Sequence, residues 1–413
     1  MGVNLQVRVK PHVPRAASWI TAPVAAIAAA SLLSDVGHEM ATAVFPIFIG
    51  TLGLGAASLG MIEGSADLLN SLAKMWGGWL GQRLTRKKGV TALGYLVTAA
   101  ATGACAWARG FWGFFSLRSL AWIGRGYRSP LRDFLISDAV PASHYGRAFG
   151  LERAGDMAGA VLGPLAAAGL LALGLGYRKI FAAAFLPGIL AAACVWLFVR
   201  EKPREAAAPS SIRLIHARLP RGFLPLLGAI LVFGMGDFSR SFLILAAARA
   251  LGGRAHGPWG LSLPVLLYVL HNAVSALSTF PAGRASDRWD RRRVLAVGYG
   301  LGVLCNLLLC LRGGSIAALT LAFVISGMYI AVEETVEKAC VSQMLPRDVR
   351  SYGLGLLAAA NAAGDMASSV YVGILWEWAG PAWAFGTACA FSAAGCALVA
   401  ALRTGAPTCA ARP

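Results

Sequence analysis

Ionisable residues recur inside long apolar stretches of this sequence, and a series of arginines is the clearest case. Arg118, Arg125 and Arg132 are seven residues apart, and Arg128 lies one helical turn from Arg125. A helix drifts by about 20° per heptad, so the series stays on one stripe. Charged side chains inside a membrane face water, a bound solute or one another. The arginines therefore predict a helix face that borders an internal polar space.

Acidic and other polar residues mark comparable positions on neighbouring predicted helices. Asp35, His38 and Glu39 are three and four residues apart, which makes them neighbours on a helix surface. A carboxylate in an apolar cavity can change its protonation near neutral pH. We expect such residues to contact a solute or carry a proton, the alternative being a polar cluster satisfied by neighbouring helices. The predicted cavity residues are Asp35, His38, Glu39, Glu63, Asp67, Arg118, Arg125, Glu152, Arg153, Asp156, Asp237, Arg240, His271, Asn272 and Asp365.

The composition indicates a polytopic membrane protein. Of 413 residues, 57% are hydrophobic and 14% charged, and the mean hydropathy is +0.63, whereas soluble domains contain about 25% charged residues. The net charge of +18 lies mostly in short loops between apolar stretches, so we expect no nucleic-acid partner. The eight cysteines show no CxxC spacing and no Cys/His cluster. We therefore predict no disulfide framework, no metal site and no cofactor.

Twelve apolar segments have the length of membrane-spanning helices, about 20 residues for a hydrocarbon core of about 30 Å. We predict an all-α membrane protein with twelve transmembrane helices in two six-helix bundles. The predicted helices are Ile20–Gly50, Leu59–Leu80, Val90–Ala108, Trp112–Ala139, Arg147–Leu173, Ile180–Val199, Phe223–Ala250, Leu261–Ala282, Val294–Leu311, Ser315–Cys340, Gly353–Trp376 and Ala382–Ala401. The predicted domains are an N-terminal tail (1–19), a first bundle (20–199), a linker (200–222), a second bundle (223–401) and a C-terminal tail (402–413).

The basic residues predict the orientation of these helices. Of 37 Lys and Arg residues, 22 fall in the even-numbered loops and the two tails, and five fall in the opposite loops. Basic loops stay in the cytoplasm, so both termini and the linker are predicted to be cytoplasmic. The high content of Ala, Arg and Gly is typical of a bacterial protein, which places the chain in the inner membrane. We expect a monomer surrounded by the lipid bilayer.

The second half of the sequence repeats the first. GWLGQRLTRKK at 78–88 corresponds to GRASDRWDRRR at 283–293, an offset of 205 residues. The pentapeptide AGDMA occurs at 154–158 and again at 363–367, an offset of 209 residues. Such matches in the same order indicate two pseudo-symmetric bundles.

The whole chain resembles the major facilitator superfamily of membrane transporters. The basic segment 78–88 is similar to that superfamily's signature GxLxDRxGRR, although Gln82 replaces its Asp and Thr85 its second Gly. The matching positions are Gly78, Leu80, Arg83, Arg86 and Lys87. GAVLGP at 159–164 resembles the GxxxGP pattern in helix 5 of exporters that run as antiporters.

This resemblance implies two six-helix bundles that rock around a central cavity, giving alternating access to a midplane site. We expect a secondary active transporter that exports a small organic solute in exchange for protons, with Asp35, Glu39 or Asp156 as the coupling group. The arginines favour an anionic solute, whereas thirteen intramembrane acids against ten bases favour a cation or a proton. Proton-coupled uptake of an anionic metabolite or metal chelate is the main alternative. A transporter-derived membrane sensor or scaffold is another, and no nucleophile motif or phosphate-binding loop suggests an enzyme.

The repeat also predicts a cytoplasmic gate. A shift of 205 residues places Arg128 on Glu333 and Arg132 on Glu337, so charges of opposite sign would face each other across the cavity. We expect these pairs to form when the cavity opens outward, the alternative being a pair within one bundle such as Arg132 with Glu152. The predicted gate residues are Gly78, Arg83, Arg86, Arg128, Arg132, Asp133, Asp287, Arg288, Glu333, Glu334, Glu337 and Lys338.

Overall fold

A computed structural model describes residues 20–201, 219–220, 222–252, 262–346 and 349–402. The predicted tails and nearly all of the linker lie outside these residues. The described chain folds into α-helices and one short 3-10 turn. The helices are α1 (Ala22–Thr51), α2 (Ala56–Arg83), α3 (Lys88–Ala104), α4 (Gly110–Ala139), α5 (Tyr145–Ala172), α6 (Tyr177–Phe198), α7 (Phe223–Gly234), α8 (Ser241–Leu251), α9 (Leu263–Arg288), α10 (Arg291–Arg312), α11 (Ile316–Met344), α12 (Arg350–Trp378) and α13 (Pro381–Ala401).

The prediction of one continuous seventh helix is wrong, because its middle is unwound between α7 and α8 at Met235–Arg240, here termed the break. Side chains from other helices satisfy the backbone there. The Asn306 amide donates to the Gly236 carbonyl over 2.9 Å, and the Tyr371 hydroxyl donates to the Met235 carbonyl over 2.6 Å. Unwound backbone is tolerated at membrane depth when protein groups pair with it in this way. Predicted helices 8 to 12 correspond to α9 to α13.

Seven of the described helices are long and apolar enough to cross a membrane by length and composition. They are α1, α5, α6, α9, α10, α11 and α13. α7 and α8 are short because of the break, and α3 has only 17 residues. α2 and α4 carry several of the charged residues that the sequence places inside the protein.

The helices form two bundles with the same internal packing. In the first bundle (α1–α6), α1 packs on α5 and α6, α2 on α4, and α3 on α4 and α6. In the second bundle (α7–α13), α7 packs on α12 and α13, α9 on α11, and α10 on α11 and α13. The correspondence confirms the two pseudo-symmetric bundles that the sequence repeat predicts.

Glycines bring the bundles into backbone contact along α2 and α12. A Cβ atom on Gly60 would lie 2.1 Å from the carbonyl oxygen of Ser369, and one on Gly373 would lie 2.5 Å from that of Ala56. No larger residue fits at either position without displacing the facing helix. We call this contact the glycine seam.

Polar side chains join the bundles on the opposite side, along α5 and α9. The Asn272 amide donates to the Ala160 carbonyl over 2.7 Å. The hydroxyl of Ser262, just before α9, donates to the Ala168 carbonyl over 3.1 Å. We call this contact the polar seam.

The bundles are joined at one end and part towards the other. Phe48 of α1 and Phe242 of α8 belong to one buried apolar cluster that includes residues of both bundles, at what we call the sealed end. A separate cluster around Tyr95 and Leu135 fills only the first bundle towards the opposite end. We call that opposite end, where α2 and α9 finish in basic segments, the basic end.

Candidate functional site

A cavity of about 600 Å³ lies between the bundles. Its wall includes parts of α1, α2, α5, α9, α11, α12 and the break. The acidic lining residues are Glu39, Glu63, Asp67, Asp237, Glu333, Glu334, Glu337 and Asp365. The basic lining residues are Lys74, Arg240 and Lys338. Eight carboxylates against three basic groups make this an acidic cavity.

The predicted cavity residues divide into two groups. Those that line the cavity are Glu39, Glu63, Asp67, Asp237, Arg240, His271, Asn272 and Asp365. Those that do not line it are Asp35, His38, Arg118, Arg125, Glu152, Arg153 and Asp156. The charged residues of the second group form ion pairs.

Two arginines of α4, the buried Arg118 and the partly buried Arg125, hold carboxylates of α2 and α1. Arg118 donates from Nε to Glu63 over 2.9 Å and from an Nη atom to the Thr42 hydroxyl over 3.0 Å. Arg125 donates both Nη groups to Asp35, over 2.6 and 2.9 Å. Arg118 and Glu63 are only 2% and 3% exposed. Bidentate pairs between arginine and carboxylate are among the strongest polar contacts in proteins.

Two further arginines pair with carboxylates of α5. Arg132 lies 2.5 Å from Glu152, and the Ser31 hydroxyl donates to the same carboxylate over 2.8 Å. Arg153 lies 2.8 Å from Asp156. The pair of Arg132 with Glu152 is the alternative that the sequence left open for this arginine.

Arg128 and His38 are buried without an acidic partner among the residues that the structure describes. Arg128 donates to the Ser34 hydroxyl over 2.9 Å, and its guanidinium lies 3.8 Å from the centre of the Tyr95 ring. Stacking of this kind stabilises a cation by the negative face of the ring. Both ring nitrogens of His38 lack a hydrogen-bond partner within the described chain, and the ring packs edge-on to Trp122 at 4.7 Å. These two residues thus belong to the interior of the first bundle.

The break carries an ion pair of its own. Arg240 donates to Asp237 over 2.5 Å, and the Tyr329 hydroxyl donates to the same carboxylate over 2.6 Å. Both charged residues line the cavity. Unwinding of the helix places the pair at the cavity wall, three residues apart in sequence.

The other carboxylates of the second bundle differ, because three of them lack a basic partner among the residues that the structure describes. Glu337 accepts hydrogen bonds from the Tyr299 hydroxyl and, over 2.7 Å, from the Asn361 amide. Glu333 is only 7% exposed, and its Oε2 atom has no partner. The Oδ1 atom of Asp365 is also buried and unpartnered. An unpaired buried carboxylate is costly while it is ionised.

Side-chain contacts also link the two bundles beside the cavity. Arg153 of α5 lies 2.8 Å from Glu334 of α11, with the two side chains 47% and 50% exposed. The Tyr268 hydroxyl of α9 donates to Glu39 of α1 over 2.9 Å. Arg153 therefore touches an acid in each bundle.

The predicted gate residues are not assembled as a gate in this state. Arg132 pairs within the first bundle, and Glu337 is satisfied within the second. The gate residues that line the cavity are Glu333, Glu334, Glu337 and Lys338, and those that do not are Gly78, Arg83, Arg86, Arg128, Arg132, Asp133, Asp287 and Arg288. The gate was expected to close only when the cavity opens towards the sealed end, so it stays a prediction.

Some residues of the site are missing from the predicted sets. Lys74 lines the cavity and continues the sequence stripe of Asp67 and Asn70 by one more turn. Tyr268 lies one turn before the predicted pair His271 and Asn272, which is a signal that could have found it. Tyr299 lies on a helix with no predicted site residue, and the sequence offers no signal for it.

Two pseudo-symmetric helical bundles around a charged cavity, with a broken helix at the wall, define a membrane transporter of the alternating-access class. The Major Facilitator Superfamily model matches residues 27–252 and 226–413. The chain belongs to this superfamily, as the sequence resemblance predicted.

Related proteins agree with this assignment. The chain is 28% identical over 348 residues to an uncharacterized MFS-type transporter of Methanocaldococcus jannaschii, covering 84% of this chain and 86% of the relative. It is 27% identical over 286 residues to the multidrug resistance protein MdtG of Salmonella arizonae, covering 66% and 68%. The fold is similar to the nucleoside transporter NupG, with a TM-score of 0.80, 10% identity and coverage of 92% and 99%. It is also similar to a bacterial homologue of the lysosomal transporter Spinster in an inward-facing conformation, with a TM-score of 0.69, 18% identity and coverage of 92% and 93%.

Proposed function

We propose that this transporter exports small organic cations in exchange for protons. The observation that carries the proposal is the acidic cavity, with eight carboxylates and three basic groups in its wall. A cation entering this space replaces water around carboxylates that have no ion pair within the described chain. Such a site discriminates against anions by repulsion.

In the sequence the arginines favoured an anionic solute. In the structure two of them do not support one. Arg118 and Arg125 are held by Glu63 and Asp35, and neither arginine lines the cavity. Uptake of an anionic metabolite or metal chelate therefore loses the support that these arginines gave it. Trp122 and Tyr268 do line the cavity, and aromatic faces favour cationic groups.

The proposed direction rests on orientation and on relatives. If the basic end is cytoplasmic, as the distribution of Lys and Arg predicts, the present state opens to the cytoplasm. A cation would enter from that side and leave at the sealed end after the bundles rock. The likeness to the multidrug resistance protein MdtG and the GAVLGP segment at 159–164 support export.

The proposed setting is the inner membrane of a bacterium, with a monomer surrounded by lipid. Large apolar side chains on the outer surface support contact with lipid, for example Leu277 at 77%, Phe280 at 76% and Trp378 at 85% exposure. The family is one of transporters, and we propose no enzymatic activity.

The test is transport in proteoliposomes with an imposed pH gradient. The probes are tetraphenylphosphonium as a cation and para-aminohippurate as an anion. We expect the cation to move against the proton gradient and the anion to stay at the level of protein-free liposomes. Gradient-driven movement of the anion alone would favour the uptake alternative, and no flux of either probe would favour a sensor or scaffold.

A further inference from the structure

The repeat reverses the charge at equivalent positions of α4 and α11. A shift of 205 residues superimposes Arg128 on Glu333 and Arg132 on Glu337. The first bundle thus carries guanidinium groups at the places where the second bundle carries carboxylates. Pseudo-symmetry of the backbone is therefore combined with asymmetry of charge.

The shared pentapeptide AGDMA shows the same difference with a single residue type. Asp156, in the first copy, lies 2.8 Å from Arg153 and 3.9 Å from Arg125. Asp365, in the second copy, has no ion pair in the described residues, and its Oδ1 atom is buried without a partner. Two identical segments therefore place one aspartate among cations and the other among acids.

Glu333 is the most isolated acid of this group. It is more than nine-tenths buried, it lines the cavity, and its Oε2 atom is buried without a hydrogen-bond partner among the described residues. Charged and titratable groups approach it from several elements. They are Asp237 and Arg240 in the break, His271 on α9, Tyr299 on α10, Tyr329, Glu334, Glu337 and Lys338 on α11, Asp365 on α12, and Asp67 and Lys74 on α2 across the cavity.

Carboxylates outnumber basic groups in this region, even with Lys338 beside Glu337 and Lys74 across the cavity. Asp237, Glu333, Glu337 and Asp365 share one guanidinium, that of Arg240, which is already bonded to Asp237. Buried carboxylates at close range cannot all be ionised, so the group retains a proton whenever no other cation compensates it. In the first bundle Asp35, Glu63, Glu152 and Asp156 each have an arginine, and Glu39 and Asp67 are its cavity acids without an ion pair among the described residues.

We propose that Glu333 and Asp365 form the site at which the coupling proton and the cationic group of the solute exclude each other. The inference deepens the proposed function and rests on it. A cation that enters from the basic end forms an ion pair with these carboxylates, and the proton leaves to water in the cavity. In the opposite state a proton from outside returns to the carboxylates, and the cation departs.

This assignment moves the coupling group away from the carboxylates that the sequence favours. Asp35 and Asp156 each form an ion pair with an arginine, Asp35 with Arg125 and Asp156 with Arg153. Glu39 lines the cavity and accepts a hydrogen bond from Tyr268 alone, which makes it the rival candidate. In the first bundle arginines hold Asp35, Glu63, Glu152 and Asp156, whereas in the second bundle Glu333 and Asp365 have no ion pair among the described residues.

The experiment measures protons released when tetraphenylphosphonium binds to the purified full-length transporter in weakly buffered detergent solution. We compare wild type, Glu333→Gln, Asp365→Asn and Glu39→Gln, with Asp156→Asn as the matched variant from the first copy of AGDMA. We expect proton release from wild type and Asp156→Asn and loss of release from Glu333→Gln and Asp365→Asn, while Glu39→Gln tests the rival carboxylate. The same two variants should lose pH-gradient-driven transport in proteoliposomes yet keep exchange of labelled for unlabelled probe.

The outcomes distinguish a failure of the proposed function from a failure of the coupling-site assignment. If the wild type binds no cation, the proposed function fails. If the wild type binds the probe and releases protons but Glu333→Gln and Asp365→Asn release as many, only the present inference fails, and loss in Glu39→Gln alone would move the proton to that residue. Each variant is measured as monodisperse protein, and Asp365→Asn carries the same expectation should Glu333→Gln not fold.

Discussion

The two bundles have the same helix packing but treat buried charge in different ways. In the first, Asp35, Glu63, Glu152 and Asp156 each contact an arginine. In the second, one arginine serves a group of acids, and Glu333 has no basic partner in the part of the chain described. A duplicated fold can therefore keep its architecture while one copy supplies a fixed framework and the other supplies charge that can be exchanged.

The largest effect is expected when an arginine is removed from the first bundle. Arg118→Leu leaves Glu63 buried without its partner, which should cost about 3 to 5 kcal/mol of folding stability. The measurement is thermal unfolding in detergent, with the double variant Arg118→Leu/Glu63→Leu expected to recover much of the loss. Glu333→Gln should leave stability unchanged or raise it, because it removes an unpaired acid. Equal losses in Arg118→Leu and Glu333→Gln would contradict the difference between the bundles.

A second test concerns the arginine with two possible partners. Arg132→Glu should destabilise the present state, because the new acid would face Glu152 at the position of a 2.5 Å ion pair. Adding Glu152→Arg should restore stability, with a coupling of about 0.5 to 3 kcal/mol in a double-mutant cycle. Adding Glu337→Arg instead should restore part of the transport if the predicted gate forms in the other state. If neither stability nor transport recovers, Arg132 acts neither in the ion pair with Glu152 nor in the predicted gate.

The smallest effect is expected at the ion pair of Arg153 with Glu334, which joins the two bundles. Arg153 and Glu334 are about half exposed, and exposed ion pairs contribute about 0 to 1 kcal/mol. Arg153→Gln should therefore lower thermal stability only slightly, and high salt should remove the difference from wild type. A large loss that persists in high salt would mean that the contact to buried Asp156 dominates instead.

The sequence predicts the fold well because its signals are long and repeated. These signals are the apolar segments of membrane-spanning length, the basic loops and the AGDMA pair. Each is local in sequence and does not depend on which helices pack together. The break is different, since Phe223–Ala250 is apolar enough to be read as one helix. Its unwinding depends on donors such as Asn306 and Tyr371, which come from distant parts of the chain.

The candidate site is predicted only in part for a related reason. Spacing identifies which residues share a helix face, but it does not say which neighbouring helix that face meets. Asp35 and Glu39 are one turn apart, yet Asp35 meets Arg125 of its own bundle and Glu39 meets Tyr268 of the other. The choice between ion pair and cavity is made by packing between helices, which a single sequence does not display.

The glycine seam divides α2 into a short part towards the sealed end and a long part towards the basic end. Gly60 lies near the sealed end of α2, and Arg83 ends that helix 23 residues further on, a distance of roughly 34 Å at 1.5 Å per residue. A rotation of about 10° around the seam would displace the end at Arg83 by roughly 6 Å but Ala56 by only about 1 Å. Because backbone meets backbone at the pivot, no side chain has to leave a pocket as the helices roll. A displacement of about 1 Å at the sealed end would thus accompany one about six times larger at the basic end.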